Sequence, residues 1–215
     1  MMIKEIKENV CRIAKKSYAN KLVAGTSGNV SFYDKEKEYM FITPSNVDYE
    51  LMTPKDIVVL NLEGTIIESE SNFKPSSEWR MHAEIYKNKK DINSIIHTHS
   101  PKATGFAVVH KDIPIILVEM IPFIGGDIKR AKFSLPGTAE LGITAAEALK
   151  DRNVCLLENH GVVAVGNNLE QAYIRAVYAE DAAVIYFNAL QVGEPVLLSE
   201  ETNNILYDKY NIKRR

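Results

Sequence analysis

The sequence predicts one α/β domain built around antiparallel strands, and three observations carry that expectation. Its 215 residues suffice for a single sizeable core. Between Val30 and Glu68, short β-type runs follow one another through tight turns, without the strand–helix alternation of a doubly wound sheet. Apolar residues at steps of three and four mark helices near both ends of the chain and between the later strands.

Ile3, Ile6, Val10, Ile13 and Ala14 place an amphipathic helix over the first twenty residues. It stops before Gly25-Thr26-Ser27-Gly28-Asn29, a turn rich in free N–H groups and tolerant of positive φ. Such a turn is either a plain helix-to-strand connection or an anion cradle. With no lysine after the second glycine, it is not a Walker-type loop. Strands are expected over 30–33 and 39–43, joined by the charged turn 34–38. Thr43-Pro44-Ser45-Asn46 is a second hydroxyl-rich turn. A hairpin over 57–62 and 65–68 bends at Glu63-Gly64. Pro75-Ser76-Ser77-Glu78 opens a helix, with Ser76 or Ser77 as its N-cap. Glu78 falls in the first turn, where the macrodipole favours a carboxylate. His82, four residues on, supports that glutamate rather than binding a ligand.

The next strand ends in His97-Thr98-His99, followed by a helix over 101–109. His110 reads as a solvated turn residue. A buried strand is expected over 113–118, with Glu119 directly after it and Gly125-Gly126 close behind. A helix over 139–150 precedes strands at 154–157 and 162–165, which flank the tip Glu158-Asn159-His160-Gly161. Gly161 is expected to let the backbone bend there. A long alanine-rich helix over 169–191 and a short one over 200–210 complete the chain, before a solvated Lys213-Arg214-Arg215. No repeat or low-complexity linker divides residues 1–215.

Composition removes several classes of function. Basic and acidic side chains number 26 and 28, a net charge of −2, and no basic stripe interleaves with aromatics, so nucleic acid is not an expected partner. The apolar runs are far too short for a membrane span. The first eight residues carry mixed charge at helical spacing, unlike a signal peptide. Cys11 and Cys155 are isolated in apolar patterns and form no disulfide framework. A reducing compartment, the cytoplasm, is expected.

On a strand, His97 and His99 share one face while Thr98 takes the other. Two imidazoles there are good metal ligands; the alternative is one buried and one surface histidine. His160, at a tip between apolar strands, is not core material. Three histidines with a fourth position open form the pattern of a catalytic zinc site. Glu78 adds a carboxylate, and the hydroxyl-rich turns, with the helix start at Ser76-Ser77, add an anion site. A Lewis-acid metal beside a base and a phosphate pocket suits chemistry next to a carbonyl or hydroxyl.

Five motifs in order, Gly25-Thr26-Ser27-Gly28-Asn29, Thr43-Pro44-Ser45, Pro75-Ser76-Ser77-Glu78-Trp79, His97-Thr98-His99 and Asn159-His160-Gly161, resemble the class II aldolase and adducin superfamily, on its sugar-phosphate aldolase branch. The likeness runs over about residues 3 to 212. It implies a three-layer αβα sandwich with a central, largely antiparallel sheet, and a homotetramer with active sites between subunits. It implies that His97, His99 and His160 hold Zn2+ or another divalent transition metal. Gly28, Asn29, Ser45, Asn46, Ser76 and Ser77 would bind a substrate phosphate, and Glu78 would be the acid/base. Tyr210 matches a C-terminal tyrosine that reaches a neighbouring subunit's site. The implied reaction is cleavage of a ketose 1-phosphate, such as L-fuculose 1-phosphate, into dihydroxyacetone phosphate and an aldehyde.

Two positions depart from the aldolase pattern. Asn46 stands where those enzymes carry glycine. Glu119, aligned on Gly125-Gly126, stands in place of their second tyrosine and is a candidate second acid. Epimerases of the superfamily use an aspartate near here, and its methylthioribulose-1-phosphate dehydratases a glutamate. Ser77-Glu78-Trp79 is aldolase-like and favours the aldolase, with a 4-epimerase or dehydratase as the alternative. A non-catalytic interaction module, like the adducin head, has no use for a metal triad beside Glu78.

Overall fold

The computed structural model describes residues 2–212; Lys213-Arg214-Arg215 lie outside the described residues. Helix α1 (Ile3–Ala19) buries Ile6, Val10, Ile13 and Ala14, the stripe read from the sequence. Strands β1 (Asn29–Asp34) and β2 (Tyr39–Ile42) pair antiparallel, as do β3 (Val58–Leu60) and β4 (Ile66–Glu68). The β3–β4 turn is held by Asn61, whose Oδ1 accepts from the N–H groups of Glu63 and Thr65 at 3.1 and 2.8 Å. Helix α2 (Trp79–Asn88), strand β5 (Ser94–Thr98) and helix α3 (Pro101–Val108) follow. Then come β6 (Lys129–Ala131), α4 (Ala139–Ala148), β7 (Val154–Leu157), β8 (Gly161–Gly166), α5 (Leu169–Val192) and α6 (Glu200–Lys209).

The eight strands form one sheet in the order β4-β3-β2-β1-β5-β8-β7-β6. Every pair is antiparallel except β6–β7, so the sheet is largely antiparallel as expected. Alternation along the strands divides the core. Val30, Phe41, Val59, Ile96, Leu156 and Ala164 pack with α1, α3 and α5. Met40, Ile42, Val58, Ile95, Leu157 and Val163 pack with α2 and α4. The sheet is thus the middle of three layers. Its central strands β5, β7 and β8 are covered on both faces, which explains their unbroken apolar character. No described helix is long and apolar enough to cross a membrane.

Two expectations need correction, and one strand was not foreseen. Residues 113–118 do not form a strand: Ile113 makes a single bridge to Ile128. Pro114 next to it has no N–H to donate, so a ladder cannot continue. The chain instead enters a five-residue π-turn, Met120–Ile124, closed by Gly125 at φ 93°. Second, α2 begins at Trp79 with Glu78 as its N-cap, so neither serine caps it. The preceding residues lie extended instead: Pro75 bridges Pro44, and the Ser76 N–H donates to Thr43 O at 3.0 Å. Third, β6 has no apolar alternation to reveal it; Lys129 and Arg130 are exposed and only Ala131 is buried.

Candidate active site

The site forms at the β5 end that faces α2. Ile95 packs toward α2 and α4, and the two-residue strand period puts His97 on that same face. His99 lies just past the strand, anchored by its N–H to Leu22 O at 3.0 Å. His160 arrives from the β7–β8 turn. There Asn159, not Gly161, takes the left-handed conformation, at φ 54°. Gly161 is needed for space: a Cβ would lie 2.4 Å from Thr98 O and 3.0 Å from the His97 ring. The three imidazole rings meet edge to face, with centroids 4.7 to 5.2 Å apart. The expectation that His97 and His99 share a face and meet His160 describes this cluster.

Hydrogen-bond chemistry shows what these rings suit. His97 Nδ1 is 2.9 Å from the Val162 carbonyl oxygen, which only accepts, so Nδ1 carries the hydrogen and Nε2 offers a lone pair. That lone pair is 3.0 Å from His99 Nε2 and 3.2 Å from Glu78 Oε2. Glu78 Oε1 lies 3.3 Å from His160 Nε2, and both Glu78 Oε1 and His160 Nδ1 are buried without a hydrogen-bond partner among the described residues. Lone pairs and a carboxylate crowded this way call for a cation. The three histidines each offer a ligand atom within 4.8 Å of the others. Zn–N bonds of about 2.0–2.1 Å in a tetrahedral site give N···N separations of roughly 3.3 Å, so the donor set fits. The His97–Val162 bond is the usual outer contact that orients a ligating imidazole.

Burial works against ionised Glu78; without a metal, a proton takes the ion's place on His97 Nε2, and that ring's charge and hydrogen bond, then His160 and the Asn29 amide, outweigh it. They hold the carboxyl well below its usual range. Burial, with the charge of His97 second, pushes His99 and His160 down to about 4. At neutral pH both are therefore the neutral imidazoles a metal requires.

Three turns gather beside this cluster. The Ser45 N–H donates to Lys74 O at 3.0 Å, and the Thr26 hydroxyl donates to Asn46 Oδ1 at 3.1 Å. Asn29 Nδ2 donates to Glu78 Oε2 at 3.0 Å. Gly28, Asn29, Ser45, Asn46, Ser76 and Ser77 thus belong to one neighbourhood. Ser76 is buried and its Oγ accepts from the Glu78 N–H at 3.3 Å, while Ser77 is exposed. Asn46 sits at φ 57°, a conformation that glycine adopts freely and asparagine tolerates. Gly28, at φ 75°, brings the turn within 2.7 Å of His97 O, counted from an added Cβ.

Glu119 and Tyr210 are not part of this cluster. Both are exposed, and among the described residues neither hydrogen-bonds to Glu78 or to the three histidines.

The model of the class II aldolase and adducin N-terminal domain matches residues 8–187. The chain belongs to the class II aldolase and adducin family. Among relatives of this family, the 5-deoxy-D-ribulose 1-phosphate aldolase of Bacillus thuringiensis serovar kurstaki is 37% identical over 210 residues, 98% of this chain and 97% of that protein. The L-fuculose phosphate aldolase of Escherichia coli K12 is 35% identical over 187 residues, 86% of this chain and 85% of that one. A solved L-fuculose 1-phosphate aldolase superposes with a TM-score of 0.91 at 37% identity, covering 96% of each chain.

For this class II aldolase-family chain, the sequence indicated His82 as a support of Glu78 but not its route, and did not indicate the part of His110. His82 does not touch Glu78 directly; it reaches it through Asn29, with His82 Nε2 at 2.5 Å from Asn29 Oδ1. His110 is exposed, as read, yet its Nε2 lies 2.6 Å from Asn159 Oδ1, beside the residue that presents His160. The four-residue spacing from Glu78 hinted at the first; nothing local signalled the second.

Proposed function

We propose that the chain is a zinc-dependent aldolase that cleaves a ketose 1-phosphate into dihydroxyacetone phosphate and an aldehyde. The observation that carries this reading is the meeting of three lone-pair-bearing imidazoles with an ionised Glu78 beside the three hydroxyl-rich turns. His97, His99 and His160 would hold the ion, Zn2+ in this reading, with another divalent transition metal acceptable to the same donors. A divalent ion there supplies Lewis acidity toward the substrate carbonyl, worth several kcal/mol of transition-state stabilisation. The N–H and hydroxyl groups of Gly28, Asn29, Ser45, Asn46, Ser76 and Ser77 bind the phosphate. In the condensation direction, Glu78 as a carboxylate takes a proton from the carbon beside the dihydroxyacetone phosphate carbonyl. That carbon adds to the aldehyde, and a second acid gives the aldehyde oxygen a proton. Cleavage runs the same transfers backward. Glu119 and Tyr210, exposed on one chain, serve as that second acid from a neighbouring copy in a cytoplasmic homotetramer.

The relatives' names support the aldolase over an epimerase or a dehydratase, and in this reading the sugar is a 5-deoxypentulose or a 6-deoxyhexulose 1-phosphate. A product assay of the metal-loaded protein on ketose 1-phosphates of both kinds tests the reading. Dihydroxyacetone phosphate and an aldehyde are expected. A dehydrated or epimerised sugar phosphate without carbon–carbon cleavage overturns it.

A further inference from the structure

Behind Glu78 runs a buried line of side chains, of which the proposed chemistry uses only the first, Asn29. Asn29 Nδ2 donates to Glu78 Oε2 at 3.0 Å. Because a carboxylate only accepts, the amide must turn its N–H there and its oxygen to the other side. That oxygen is 2.5 Å from His82 Nε2, so Nε2 carries the hydrogen. His82 Nδ1, 2.6 Å from Ser31 Oγ, is then the acceptor and takes the serine hydrogen. Ser31 Oγ in turn accepts from the Tyr86 hydroxyl at 2.8 Å, a shorter path for that one hydrogen than the Asn93 carbonyl oxygen at 3.3 Å. All donors point one way, from Tyr86 through Ser31, His82 and Asn29 to Glu78, with one consistent assignment at each member. Asn29, Ser31, His82 and Tyr86 are nearly or fully buried, His82 and Ser31 at 0% exposure, so water does not compete for these bonds. Satisfied networks in such a setting hold one geometry.

We infer that His82 is a positioning residue: it fixes the Asn29 amide so that its N–H orients the Glu78 carboxylate. The inference rests on the proposed role of Glu78, and its origin lies in the sheet and α2. β1 places Asn29 and Ser31 two residues apart on one face. Helix α2 places His82 and Tyr86 one turn apart above them. The helix thus reads the strand in two places and passes the result to the residue that precedes it.

Side-chain reach supplies a sharp test. Glutamine at 82 puts an N–H where imidazole Nε2 stands and keeps the bond to Asn29. Asparagine reaches only the Nδ1 position and serves Ser31 alone. His82→Asn and His82→Leu are expected to lower kcat by about 10–100-fold, the scale for losing an outer-shell partner, with KM and zinc content little changed. His82→Gln is expected to recover most of that loss. In a Glu78→Gln background, His82→Asn should cost little more, because the two act as a unit. Equal losses in His82→Gln and His82→Asn, losses that simply follow melting temperature, or full additivity with Glu78→Gln would each overturn the inference. An independent readout needs no turnover: ring 15N shifts of His82 in the metal-free protein should report a neutral, Nε2-protonated tautomer. The opposite tautomer overturns the inference even if the enzyme is active. Absence of cleavage on any ketose phosphate, with the expected tautomer present, rejects the aldolase reading and leaves the network standing.

Discussion

Glu78 and Glu119 are both carboxylates offered for proton transfer, and they occupy opposite environments. Glu78 is 7% exposed, at the mouth of α2, with His97, His160 and Asn29 around its oxygens. Each of those partners is placed by the sheet or by a turn between its strands. Glu119 stands exposed where an irregular segment enters the π-turn Met120–Ile124, without regular strand or helix to set its direction. The contrast teaches how the work is divided. One chain brings together the candidate metal ligands, the proposed base and the hydroxyl-rich turns. Glu119 and the half-open Tyr210 stay outside that cluster, and their proposed second-acid role rests on the proposed neighbouring copy.

The most severe way to break this contrast is to remove a ligand from the complete half. His97→Ala or His160→Ala should strip nearly all metal and reduce turnover to background, because three ligands with one open position become two. Elemental analysis checks it, and full occupancy in both variants eliminates the proposed centre. Next, Glu78→Gln should keep fold and metal but lose roughly 10²–10⁴-fold in kcat, the scale of a positioned acid/base. The amide can still accept from Asn29 but cannot take the proton. Unfolding of this variant under conditions where wild type is stable would make Glu78 a structural cap instead.

On the open side, Glu119→Gln should slow turnover toward the lower end of that range, about 10²-fold, with phosphate affinity and metal content unchanged. Steady-state kinetics alongside inorganic phosphate inhibition read both quantities. Wild-type behaviour would pass the second-acid role to Tyr210 alone.

Acid should single out the buried half as well. His82 is pushed by burial down to about 3, and His99 and His160 down to about 4. An unfolded histidine titrates near 6.5, so below that pH the unfolded chain takes up protons that the folded chain refuses. Stability of the metal-free protein should therefore fall as pH drops from about 6.5 toward 4, by up to about 1.4 kcal/mol per pH unit for each such histidine. Denaturant unfolding at pH 7, 6 and 5 measures the slope; a flat profile contradicts neutral burial. The smallest effect is expected at Asn46. Its left-handed backbone suits glycine as well, so Asn46→Gly should change stability by less than about 0.5 kcal/mol while losing the bond from Thr26. A large rise in KM for the sugar phosphate would show that the amide itself binds substrate.

Local pattern was enough to determine most elements and the candidate ligand pair by itself. The stripe in α1, the hairpin at Gly64, the paired strands around His160 and the common face of His97 and His99 all follow from periods of 3.6 and two. Those periods arise within a few residues of backbone. The long helix Leu169–Val192 lies within one residue of its expected bounds for the same reason. What tertiary structure alone decided depends on groups brought together from far apart in sequence. Pro114 turned an apolar run away from the sheet, because a strand needs a partner that its donors can reach. The extended Pro75 segment beside Pro44 displaced both serines from the cap and left that place to Glu78. Asn29 and His82, 53 residues apart, became one unit with Glu78 only when α2 settled over β1. A hydrogen bond acts over about 3 Å and its direction depends on its next partner, so no spacing along the chain encodes that choice.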